Sequence, residues 1–142
     1  MAGEAVVRVL IVDDQAPFRN AARTVVGLTP GFEVVGEASS GEEAVDLAGQ
    51  LGPDLVLMDI NLPGISGIEA MKLLRGDPAT AHIPIIALSA NAVPRDIERG
   101  LEAGFFNYLT KPIKVNEFMD ALDAALAFAR TAPGRTRVEV PR

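Results

Sequence analysis

An α/β fold, with a parallel sheet covered by helices on both faces, is predicted by two observations. Short apolar, β-branched runs alternate five times with helix-like stretches, the pattern of sequential strand–helix units. Four of those apolar runs also end on a polar or charged group: Asp13-Asp14 after Val9 to Val12, Asp59 after Leu55 to Met58, Ser89 after Ile85 to Leu88, and Lys111 shortly after Tyr108-Leu109. In a parallel sheet these ends share one edge, where α/β proteins bind their ligands.

The elements are expected in the following order. Residues 8–13 form a buried strand, and Asp14 to Leu28 a helix, with Pro17 near the first turn, where a missing N–H costs little. Residues 32–38 form the second strand through Phe32, Val34 and Val35. Ser40-Gly41-Glu42-Glu43 reads as a capping box opening a helix that carries Ala44, Val45, Leu47, Ala48 and Leu51 and is stopped by Gly52-Pro53. The third strand runs 54–58. Ser66 to Glu69 repeats the capping pattern and starts a helix to about Arg75, before the break at Asp77-Pro78. Ile83 to Leu88 is the fourth strand, Pro94 to Ala103 a helix ended by Gly104, and Phe105 to Leu109 the fifth strand. Asn116 to Arg130 is an amphipathic helix with Phe118, Leu122, Ala125, Leu126 and Ala129 at helical spacing. Residues 1–7 are then a short lead, 8–130 one domain, and 131–142 a disordered tail or linker stub, with two prolines, a glycine and three arginines.

Composition narrows the function. A chain of 142 residues, 49% apolar and 5% aromatic, can bury an aliphatic core. It has no cysteine, so no disulfide framework and no thiolate chemistry. A net charge of −6 argues against direct nucleic-acid binding. No apolar run approaches the roughly 20 residues of a membrane span, and no secretory leader opens the chain, so a soluble cytoplasmic domain is expected. On the strand-end edge, three carboxylates, a hydroxyl and a lysine describe a site for a divalent cation and a phosphoryl group. Each element alone has a plainer reading: Asp13-Asp14 as a helix cap, Asp59 as a turn carboxylate, Ser89 as a cap, Lys111-Pro112 as a loop. Capping alone does not explain their joint placement.

These stretches closely resemble the receiver domain of two-component response regulators. The matching segments are Val9-Leu10-Ile11-Val12-Asp13-Asp14, Leu57-Met58-Asp59-Ile60-Asn61-Leu62-Pro63-Gly64, Ala87-Leu88-Ser89-Ala90 and Tyr108-Leu109-Thr110-Lys111-Pro112, covering about residues 8–128. The resemblance implies a flavodoxin-like, doubly wound, five-stranded parallel sheet of order 2-1-3-4-5 with five helices. It implies that Asp59 accepts a phosphoryl group from a histidine kinase or histidine phosphotransfer protein, and that Asp13, Asp14, Asp59 and the carbonyl of Asn61 hold Mg²⁺. Such a cation prefers hard oxygen ligands and would relieve the repulsion among three carboxylates. The resemblance further implies that Lys111 pairs with the phosphoryl oxygens, that the Lys111-Pro112 bond is cis, and that Ser89 donates to the phosphoryl group. Tyr108 would be a switch residue that reshapes the surface of the fourth helix, fifth strand and fifth helix, where a downstream protein docks. Asn61 and Asn91 would tune the acyl-phosphate lifetime.

Other residues carry plainer expectations. His82 should be a surface loop residue without a phosphohistidine role; Arg95, Glu98 and Arg99 a solvated helix face. Of Phe105-Phe106, one ring should enter the core and the other widen an apolar partner surface. No effector is expected after the fifth helix, so the chain would act by protein contact as a monomer or weak dimer, or be a domain excised from a hybrid kinase. Residues 9–70 lean toward receivers of DNA-binding regulators and 82–113 toward those of hybrid kinases, which raises an engineered hybrid with a seam near 65–80. The competing classes are a docking module independent of phosphorylation and a phosphatase. The phosphatase would need a second aspartate where Asn61 stands, so a signalling receiver rather than an enzyme is expected. A flavin-binding role is unsuited to Asp-Asp-Gln-Ala-Pro after the first strand, which would repel phosphate without a cation.

Overall fold

The computed structural model describes residues 6–90, 94–111 and 114–131. Ten elements alternate along the chain: β1 (Val7–Val12), α1 (Ala16–Leu28), β2 (Phe32–Ala38), α2 (Gly41–Leu51), β3 (Leu55–Asp59), α3 (Gly67–Gly76), β4 (Ile85–Ser89), α4 (Pro94–Ala103), β5 (Asn107–Thr110) and α5 (Val115–Thr131). The strands form one sheet in the order β2-β1-β3-β4-β5, and each neighbouring pair is parallel. The α/β class and the expected strand order both hold.

Strand alternation sorts the core into two halves, because successive residues face opposite sides. Leu10, Val12, Val56, Met58, Ile85 and Ala87 point to one side and meet Ala44 and Ala48 of α2, Ala70, Met71 and Leu74 of α3, and Phe105. Val9, Ile11, Leu55, Leu57, Ile86 and Leu88 point to the other and meet Ala22 and Val26 of α1 with Phe118, Ala121, Leu122 and Ala125 of α5. The three middle strands are buried on both faces, which is why they read as unbroken apolar runs. Each fully buried Val, Leu, Ile, Met or Phe side chain contributes about 1.5–3 kcal/mol.

The ends of several elements differ from expectation, each for a local reason. β1 starts at Val7, inside the predicted lead, because Val7 pairs with Phe32. α1 starts at Ala16 rather than Asp14, since the Asp13 carboxylate accepts the Gln15 N–H at 2.8 Å and holds a turn there. β4 starts at Ile85, because Ile83 N–H closes a turn to Thr80 O at 3.0 Å. β5 starts at Asn107, because Phe105 N–H donates back to Gly100 O at the end of α4. The Ser66–Glu69 capping box is complete. At α2 the box is offset: Ser40 caps Glu43 N–H, but the Glu43 carboxylate accepts from Ser39 N–H at 2.8 Å. Residues 132–142, most of the predicted tail, lie outside the described residues.

Candidate functional site

Each acidic residue reaches the sheet edge through backbone geometry. Asp13 follows β1, its N–H bonded to Ala38 O at 3.0 Å, and its own carbonyl accepts from the Arg19 guanidinium at 2.7 Å. Asp59 closes β3, and the next residue, Ile60, donates to Leu88 O at 3.0 Å. The turn after it is tight. Gly67 N–H returns to Ile60 O at 2.9 Å, and a Cβ on Gly67 would lie 2.2 Å from Asp59 O, so only glycine lets α3 start there. Ser89 closes β4 opposite Thr110, and Lys111 N–H donates to Ser89 O at 2.7 Å. Four strand ends therefore deliver the expected groups to one edge.

The carboxylates converge. Asp13, Asp14 and Asp59 each offer an oxygen, all within 4.8 Å of one another; Asp13 and Asp59 are buried and Asp14 is exposed. The Lys111 ammonium stands 2.7 Å from Asp13 Oδ2 and 3.6 Å from Asp59 Oδ2. Asp13 Oδ2 has no hydrogen-bond partner, so its pairing with Lys111 is close but not aligned as a hydrogen bond. Asp59 Oδ1 accepts the Asn61 N–H at 3.1 Å. Burial, above all, pushes the Asp59 carboxyl above the ordinary carboxylate range. The Asn61 N–H pulls it down, Asp13 pushes it up, Lys111 pulls it down, and Asp14 adds a last upward push. A buried oxygen without a hydrogen bond, in a cluster of hard donors bearing excess negative charge, fits a divalent cation.

Of the other predicted residues, Ser89 is buried and Asn61 exposed beside Asp59. Tyr108 is half-buried against α4, where a Cβ on Gly100 would lie 2.9 Å from two of its ring carbons. Asn91 and Pro112, and with Pro112 the expected cis bond, lie outside the described residues. Arg95, Glu98 and Arg99 are exposed as expected. His82 is half-buried in the turn before β4 rather than on the surface, and away from the acidic edge. Phe105 enters the core, while Phe106 is half-buried against the opposite face of the sheet.

Two contacts were not legible in the sequence. The Phe18 ring centroid lies 4.2 Å from Lys111 Nζ. The Glu42 carboxylate accepts the Ile65 N–H at 3.2 Å, tying α2 to the loop after Asp59. Each joins residues on separate elements, so no local spacing announces it; an aromatic ring in the first turn after Asp-Asp is the faint signal for the first.

Known proteins place the chain firmly. Residues 9–123 match the family described as response regulator receiver domain. The chain is 32% identical over 127 residues to the nitrate/nitrite response regulator protein NarL of Escherichia coli, covering 89% of this chain and 58% of NarL, little more than half its length. It is 40% identical over 121 residues to the polar-differentiation response regulator DivK of Brucella ovis, covering 85% of this chain and 97% of DivK. Among solved structures, a two-component response regulator of the LuxR family from an Aurantimonas species superposes with a TM-score of 0.80 at 32% identity, covering 87% of this chain and 86% of that one. The chemotaxis protein CheY4 of Vibrio cholerae gives 0.77 at 27%, covering 85% and 99%. With this fold, this clustered acidic edge and these relatives, the chain belongs to the response regulator receiver domain family of two-component systems.

Proposed function

We propose that the domain at residues 8–130 is a phosphoacceptor whose acceptor is Asp59. The observation that carries this reading is the convergence of Asp13, Asp14 and Asp59 within 4.8 Å, with the Lys111 ammonium between Asp13 and Asp59. An oxygen of the Asp59 carboxylate attacks the phosphorus of a phosphohistidine on a histidine kinase or phosphotransfer protein. The P–N bond breaks, the imidazole nitrogen takes up a proton, and an acyl phosphate remains on Asp59. Asp13, Asp14, Asp59 and the Asn61 carbonyl would hold Mg²⁺, which when bound offsets charge on the phosphoryl oxygens. Asp59 Oδ2 faces Lys111, so a phosphoryl group added there meets the ammonium. Ser89 donates its hydroxyl from the neighbouring strand end.

The output follows from the same chemistry. Drawing Ser89 toward the phosphoryl group opens space beside β4, and Tyr108, paired with Ala87 on the adjacent strand, turns toward it. The face of α4, β5 and α5 then changes shape for a downstream protein. The domain works in the cytoplasm as a signalling module, monomeric or weakly dimeric, and not as an enzyme turning over external substrates.

The test is intact-protein mass after incubation with acetyl phosphate, with and without Mg²⁺, for wild type and Asp59→Asn. One phosphoryl group, dependent on Mg²⁺ and absent from the variant, is expected. A folded wild type that gains none points instead to a docking module independent of phosphorylation.

A further inference from the structure

The geometry points to Phe18 as a positioning residue for phosphoryl acceptance: its ring holds the Lys111 ammonium against the acidic cluster. The inference rests on the reading of Asp59 as the phosphoryl acceptor. The ammonium is bounded by three groups. Asp13 Oδ2 lies at 2.7 Å, Asp59 Oδ2 at 3.6 Å, and the Phe18 ring centroid at 4.2 Å. Phe18 comes from the first turn of α1, across from the end of β5 that supplies the lysine. Its placement is fixed from two sides: its N–H donates to Gln15 O at 3.1 Å, and its ring leans on the cluster between the sheet and α1 and α5.

An aromatic ring suits this place for an electrostatic reason. A lysine stem is long and flexible, and its ammonium is strongly hydrated. With the ring in place the ammonium still stands nearer Asp13 than Asp59, so what the ring adds is confinement at the cluster rather than a choice between the two carboxylates. A third carboxylate could hold it more strongly, but would repel an incoming phosphoryl group. The ring face attracts the cation through its quadrupole and carries no net charge to repel the anion. It also covers the ammonium, whose side chain is only 16% exposed. Less solvent then has to be stripped from Lys111 when the phosphoryl group arrives.

The rival reading is that Phe18 only fills space. Four variants separate the two: Phe18→Leu, Phe18→Tyr, site-specific pentafluorophenylalanine at position 18, and Phe18→Leu combined with Lys111→Ala. Pentafluorophenylalanine keeps the ring's shape while reversing its quadrupole, so it serves if leucine disturbs the fold. Initial rates with acetyl phosphate and Mg²⁺, read by intact mass, need no partner protein. Leucine and the fluorinated ring are expected to slow phosphorylation about three- to tenfold, the scale of a partly desolvated cation–π contact. Tyrosine is expected to restore the rate. In the Lys111→Ala background, measured against Lys111→Ala alone, leucine is expected to change nothing further.

The second readout is NMR of the Lys111 Cε protons in the unphosphorylated protein. The ring shifts them upfield in wild type, and they return to the free-lysine position in Phe18→Leu. Wild-type rates in both the leucine and fluorinated variants, or equal slowing with and without Lys111, overturn the proposal. So does a Lys111 resonance that ignores position 18. If the wild type takes up no phosphoryl group, the acceptor reading fails by itself, and the resonance still decides whether the ring holds the lysine.

Discussion

The two ends of β3 set the same residue type in opposite environments. At the start of the strand, Asp54 is matched: its Oδ2 accepts the Arg8 N–H at 3.0 Å, and its N–H donates to Arg8 O at 2.7 Å. The Arg8 guanidinium then reaches Gly52 O at 2.8 Å, closing the strand's entry. At the other end, Asp59 is buried beside Asp13 and Asp14, with one ammonium between Asp13 and Asp59 to balance them. A matched carboxylate adds to the fold's stability. A carboxylate buried among like charges subtracts from it unless a cation offsets them, so no gain in folding stability explains the place of Asp59.

The largest break in that comparison is at Asp59, the proposed acceptor. Asp59→Asn should abolish phosphoryl uptake, while Asp54→Asn should leave the rate within about twofold, as expected of a residue remote from the reacting atoms; acetyl phosphate with intact-mass detection compares them. Next is the turn that seats Asp59. Gly67→Ala forces a methyl against Asp59 O and should destabilise the fold by about 3 kcal/mol, the upper part of the range for overpacking. Urea denaturation measures it, and a loss under about 1 kcal/mol would show that the turn yields easily.

A smaller effect sharpens the contrast through pH. The folded-state pKa of Asp59 is raised, so folding favours its protonated form. That contribution is fully present below the unfolded-state value and is lost as pH rises through the folded one. Asp59→Asn should therefore be more stable than wild type at pH 7.5 without Mg²⁺. The gap should close as pH falls toward that of a free carboxyl, and narrow at pH 7.5 when Mg²⁺ is added. Paired thermal melts decide it; an asparagine variant less stable at pH 7.5 contradicts it. The smallest effect is at the matched end, where Asp54→Ala should cost about 1 kcal/mol of stability by the same melts, with the phosphorylation rate kept.

How much of this was legible depends on the range of each interaction. Asp13, Asp59, Ser89 and Lys111 could be read because each ends an apolar run or closely follows one, and the parallel topology brings such ends together. The ranges of β4 and β5 were misjudged because apolar residues continue outside the ladder: Ile83 and Phe105 are buried by turns and helix ends instead. At α2, residue spacing identified Ser40 as the cap but could not say that Glu43 would reach Ser39. The role of Lys111 was expected toward the phosphoryl group alone. Its closer pairing with Asp13, and the Phe18 ring beside it, come from α1 and β5 meeting in space.

The sequence by itself determined the class of fold, the order of elements and which polar residues stand at the strand-end edge. Those follow from alternation of apolar runs, from caps and breakers, and from polar groups at strand ends, all of them local signals. The tertiary structure alone decided how close the three carboxylates come, which of them the lysine favours, and that burial raises the pKa of Asp59. These are properties of distance and dielectric, set only when segments far apart in the chain are packed against one another and water is removed from between them.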